Sequence, residues 1–145
     1  MAGVKWQSLV HILVARILVI APTTEGLPDV AAATQAIASA HQCQVLQAAD
    51  TTQREVVEAA STGSYDIVWF FGHLTGGGGF ALPTGELSVE SIVSVVNVSG
   101  ASLAILTVCR SWPIGQRLLA RTKAAVIYTQ ADVFSADVML VAVAL

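Results

Sequence analysis

Residues 65–73 read YDIVWFFGH. From Ile67 to Phe71 every residue is apolar, and Gly72 and His73 end the run. A strand with no polar side is one buried on both faces, the habit of central strands in parallel sheets covered by helices. The stretch therefore decides the fold class: a sheet with helices on both sides, and His73 at the end of one inner strand.

Outward from it, strands and helices alternate. Toward the N-terminus, RILVIAP (16–22) is a buried strand punctuated by TTEG. Pro28 and Asp29 open an Ala-rich helix that reaches about His41, with Val30, Ala33, Ile37 and Ala40 on one face. CQVLQAA (43–49) alternates, so it belongs nearer an edge of the sheet. Asp50, Thr51 and Thr52 cap a helix over QREVVEAAST.

Toward the C-terminus, TGGGG precedes FALPTGELS, a short hairpin turning at Pro83, Thr84 and Gly85. Ser88 caps VESIVSVVN, with Glu90 or Ser91 in its first turn. SLAILTV (102–108) is another apolar strand and delivers Cys109. Pro113 stands in the first turn of a helix running to about Thr122, and AAVIYT (124–129) is a fifth strand. Ser135 caps a last helix, ADVMLVAVAL, apolar almost all round. That pattern points to burial on more than one side, as at a homo-oligomer interface. The whole predicts an α/β fold: a three-layer α/β/α sandwich on a mostly parallel sheet with right-handed crossovers.

Composition agrees with this. The 145 residues are 54% apolar and 12% charged, a length for one domain over residues 1–145 and a balance for a sheet covered on both faces. A formal charge of −3 leaves no basic footprint for nucleic acid. The apolar start is interrupted by Arg16 and no run spans a bilayer, so neither signal peptide nor membrane association is expected. Two cysteines, Cys43 and Cys109, make no disulfide framework and fit no zinc motif. No metal and a reducing, cytoplasmic setting follow.

In doubly wound sheets function collects outside the carboxyl ends of the strands. His73 and Cys109 each follow an apolar strand. If those strands are neighbours, an imidazole stands beside a thiol and can take its proton, making the thiolate that attacks a carbonyl. The glycines at 76–79 lack the Gly-Lys-Ser/Thr ending of a phosphate loop and open onto a hairpin. They read instead as a flexible loop beside the site, able to admit an extended peptide. Trp69, Phe70 and Phe71 read as core, and Cys43 as a structural thiol.

Taken together, YDIVWFFGH, GGGGFALPTGELSVESI, SLAILTVCRS and RLLARTKAAVIYTQADVFSADV resemble the caspase-like cysteine peptidases, the clan of caspases, metacaspases and separase, and the CHAT type most closely. The resemblance implies a caspase-like (caspase-hemoglobinase) fold and a cysteine endopeptidase with a His-Cys dyad. Cys109 would be the nucleophile and His73 the general acid–base. The backbone N–H groups of Cys109 and Leu74 would form the oxyanion hole. The family usually has Gly where Leu74 stands, so Leu74 must offer its N–H either from negative φ or at the cost of backbone strain. Basic-specific members carry Asp at the position of Thr107, so no trypsin-like specificity is expected from that site. Asp132 is one substitute pocket acid; Arg110 favours an acidic residue instead, and both stay open. Arg110 and Trp112 either shape the mouth of the cleft or block it. The resemblance further implies a protein or peptide substrate, regulation by a protein partner or signal, no cofactor, and a domain that is minimal or C-terminally truncated beside longer relatives. A catalytically inactive regulatory or scaffolding module of the same fold is the alternative, and an unrelated doubly wound ligand-binding domain the third.

Overall fold

The computed structural model describes residues 14–130 apart from 24, 26 and 28. The helix expected after Ser135, the candidate Asp132 and the apolar start with His11 lie outside the described residues.

Among the described residues the central sheet holds five strands: β1 (Arg16–Ile20), β2 (Gln42–Leu46), β3 (Ile67–Gly72), β6 (Leu103–Val108) and β7 (Ala125–Ile127). Their order is β2-β1-β3-β6-β7, and every pairing is parallel. A two-stranded antiparallel ribbon, β4 (Phe80–Leu82) and β5 (Gly85–Leu87), stands apart. Four helices connect the strands: α1 (Val30–Ala40), α2 (Gln53–Thr62), α3 (Val89–Ser99) and α4 (Trp112–Arg121). The expected α/β/α sandwich with a parallel sheet is therefore the observed fold.

Strand alternation sorts the core into two layers. Ile17, Val19, Ile67, Trp69, Phe71 and Ile105 face α1, meeting its Val30, Ala33 and Ile37. Leu18, Ile20, Val68, Phe70, Leu106 and Val108 face the other way, against α2, α3 and α4. β3 is buried at all six positions, as a strand apolar on both sides requires, whereas β2 alternates exposed and half-buried residues at the edge. Trp69 and Phe71 stack at 4.8 Å between ring centroids inside the α1 layer, so the aromatic run is core.

The helix starts are set locally. Thr52 and Glu55 form a reciprocal capping box at α2, and the Ser88 hydroxyl accepts the Ser91 N–H at α3. α3 ends in Gly100 at φ 73°, a left-handed position that glycine takes without strain. The sequence-based bounds shift by up to three residues, the most at the end of β2, which stops at Leu46 rather than Ala49. β3 opens at Ile67 rather than Tyr65, because the backbone N–H groups of Tyr65 and Asp66 are drawn aside to Ser99 and Arg16 carbonyls. The hairpin turns on Pro83 and Thr84, with Gly85 already in β5.

The chain runs from β1 to β2 on one side and returns past β1 to β3 on the other. The direction of winding thus reverses between β1 and β3, the kind of switch point at which open α/β sheets bind ligands. Among the described residues no helix is long and apolar enough to cross a membrane.

Candidate active site

β3 and β6 are neighbours, and their last registered pair is Gly72 with Val108. His73 and Cys109 are each the next residue along. Carried one residue further, the alternation of both strands gives the two positions the same face as Phe71 and Thr107. Parallel strands lie about 4.8 Å apart, so the two residues leave the sheet side by side, at one level of one edge. Both residues are half-buried. Cys109 is in no disulfide.

His73 is oriented by the segment after β1. Its Nε2 lies 2.8 Å from the carbonyl oxygen of Glu25. A carbonyl only accepts, so Nε2 carries the proton and Nδ1 is the nitrogen left with a lone pair. Sequence reasoning found no third orienting group. The group is a main-chain carbonyl, which no residue type signals. Gly72, just before His73, is required by packing: a Cβ there would stand 3.0 Å from Phe80 Cζ and 3.3 Å from the Thr23 carbonyl oxygen.

Leu74 pairs with Phe80 across an antiparallel bridge. The flanking bonds run from Ala81 N–H to His73 O and from Thr75 N–H to Gly79 O, both 2.8 Å. Leu74 is thus in a non-hydrogen-bonded pair, and its own N–H points away from the ribbon. Among the described non-glycine residues only Arg110 has positive φ, so Leu74 meets the condition under which leucine can offer that N–H.

The glycine run makes a hydrogen-bonded turn. Gly78 N–H donates to Thr75 O at 3.0 Å and Gly79 N–H to Thr75 Oγ1 at 3.2 Å. The Thr75 hydroxyl also donates to the Glu86 carboxylate. Glu86 lies across the turn so closely that a Cβ on Gly79 would sit 2.5 Å from its Cδ. The Glu86 side chain from β5 thus covers Gly77 and Gly79, while Gly76 and Gly78 face open space.

The turn after Cys109 is tightly braced. Arg110 has φ 53°, a left-handed position that strains a side-chain-bearing residue, and its side chain is exposed. Ser111 is fully buried; its hydroxyl accepts the Thr129 N–H at 3.1 Å. Thr129 Oγ1 donates to Val108 O at 2.7 Å. Trp112, first residue of α4, is 44% exposed beside this turn. Thr107, where an acid would mark basic specificity, accepts the Trp69 indole N–H at 2.8 Å.

Cys43 lies on β2, two strands away from β3 at the sheet's edge, and burial pushes its thiol pKa up. Among the described residues no cluster of three or more His, Cys, Asp or Glu side chains gathers to hold a metal ion.

A parallel α/β/α sandwich with His and Cys ending adjacent inner strands is what the comparisons bear upon. No curated protein and no solved structure matches the chain. The CHAT domain family model matches residues 14–129. CHAT domains are caspase-like peptidase domains, and with the match spanning most of its length this chain belongs to the CHAT domain family.

Proposed function

We propose that this chain is a cysteine endopeptidase that cleaves peptide bonds with a dyad of His73 and Cys109. The observation that carries the reading is the Gly72–Val108 pair, which sends His73 and Cys109 out of adjacent parallel strands together. With Nε2 donating to Glu25 O, Nδ1 of His73 is the nitrogen that takes the Cys109 proton. The thiolate attacks the peptide carbonyl carbon, a C–S bond forms, and the carbonyl electron pair moves to oxygen. The N–H groups of Leu74 and Cys109 receive that oxyanion. The imidazolium then protonates the leaving amine as the C–N bond breaks, leaving a thioester. Water, deprotonated by His73, hydrolyses the thioester and restores the thiol.

The substrate is a protein or peptide, and a protein partner or signal regulates the site. Arg110, exposed beside Cys109, is the substrate-pocket candidate within the described residues. The rival reading, an inactive scaffolding module, draws on the same Arg110 and on Trp112 standing at the mouth.

The test is covalent labelling by peptide acyloxymethyl ketones, mapped by mass spectrometry. Label is expected on Cys109, abolished in Cys109→Ala and retained in Cys43→Ser. The raised thiol pKa of Cys43 leaves it less thiolate at neutral pH, so its own labelling should grow only as pH rises above the ordinary thiol range. Label on Cys43 alone, or a folded protein that takes no label, would favour the scaffolding module.

A further inference from the structure

We propose that Thr23 is a positioning residue for His73: its hydroxyl ties the loop after β1 to the β4–β5 ribbon and so keeps the Glu25 carbonyl against the imidazole. The inference rests on the peptidase reading and adds a residue to it.

The Glu25 carbonyl decides which ring nitrogen of His73 holds the proton, because a carbonyl accepts and does not donate. A carbonyl is only as well placed as the chain that carries it, and at Glu25 the chain has left the sheet. β1 makes its last registered pairs at Ile20, with Leu46 on one side and Phe70 on the other. The Ala21 N–H still donates to Leu46 O at 2.9 Å. Pro22 follows, and proline has no N–H with which to extend a ladder.

Thr23 is the next residue, and its hydroxyl donates to Ala81 O at 2.7 Å, across 58 positions of sequence. Ala81 is the middle residue of β4. Its N–H donates to His73 O at 2.8 Å. One residue of the ribbon therefore holds the His73 main chain with its N–H and the loop after β1 with its carbonyl. Two positions beyond Thr23, Glu25 O accepts the His73 Nε2 proton at 2.8 Å. The bonds close a circuit that runs from the His73 main chain through Ala81, Thr23 and Glu25 back to the His73 ring. Two residues of chain reach at most about 7 Å, so a fixed Thr23 keeps Glu25 on a short tether. The Thr23 main chain also lies close over β3: a Cβ on Gly72 would stand 3.3 Å from its carbonyl oxygen. The loop is thus seated on the residue just before His73.

Replacing Glu25 cannot test this contact, because every residue brings the same carbonyl. The circuit depends on a side chain at Thr23, and the experiment removes it there. Thr23→Val keeps the shape and loses the hydroxyl; Thr23→Ser keeps the hydroxyl. Thr23→Ala makes the same cut as Val should the second methyl not fit. The 15N spectrum of the His73 ring is recorded on the full chain with the ring neutral. In wild type Nε2 should resonate as a protonated nitrogen and Nδ1 as a bare one. In Thr23→Val the two should move toward each other as the other tautomer gains population, and Thr23→Ser should restore them. The rate of Cys109 labelling by a peptide acyloxymethyl ketone should fall about ten-fold in Thr23→Val and recover in Thr23→Ser.

A hydroxyl that only stabilised the fold would lower the denaturant midpoint and leave the ring resonances where they were. Ring resonances unmoved in Thr23→Val therefore overturn the proposal, as does a wild-type ring protonated on Nδ1. Folded wild-type protein that takes no label at Cys109 defeats the peptidase reading instead, and the ring resonances then decide the role of Thr23 by themselves.

Discussion

Arg110 is where this chain is strained. A side chain at φ 53° crowds its own backbone at a cost of about 1–2 kcal/mol. Glycine would relieve that crowding and give back part of the gain in chain entropy. Arg110→Gly should therefore raise stability by about 1 kcal/mol, read as a higher denaturant midpoint at unchanged slope. A lower midpoint would mean that the contacts of the Arg110 side chain outweigh the strain. The neighbouring residues also mark how far a sequence can be read at this scale. His73 and Cys109 stand out by type and by position after apolar runs. Glu25 does not: it acts through a carbonyl that every residue has. Leu74 is the opposite case, a side chain that departs from the family's glycine but keeps the backbone geometry because Phe80 pairs with it.

At the scale of elements, β3 and β6 form the frame on which the site depends. They are joined along six registered pairs, and one side-chain bond crosses the same seam, from the Trp69 indole to Thr107 Oγ1. Trp69 is fully buried, so its N–H has no water to turn to if that acceptor is lost. Thr107→Val should cost about 1–3 kcal/mol, measured by chemical denaturation; no loss of stability would mean that another acceptor replaces it. The same bond explains why Thr107 is a poor place for a pocket acid: its polar atom is committed to the core. Both strands were legible because each is apolar on both sides, and the helices between them because their caps are written in Thr52, Glu55 and Ser88. The bonds of the glycine run were not legible in the sequence. Its partner, Glu86, lies beyond a hairpin, and only the folded ribbon brings that carboxylate over Gly79.

At the scale of the whole molecule, the strand order turns two residues 36 positions apart in sequence, His73 and Cys109, into neighbours. The order β2-β1-β3-β6-β7 also sets β1 beside β3, so that Glu25, in the segment after β1, reaches His73. Alternation of elements made the parallel sandwich readable; the adjacency of β3 and β6 was only a condition in the sequence and is given by the strand order. The lean charge content and the two-layer core are consistent with that frame, and the family match covers it. What the frame asserts above all is that one imidazole and one sulfur share a crevice. The direct measurement is the 15N spectrum of the His73 ring in wild type and in Cys109→Ala. The account predicts that the Nδ1 resonance moves when the sulfur is removed, while Nε2, held by Glu25, moves less. Ring resonances indifferent to the loss of Cys109 would contradict it.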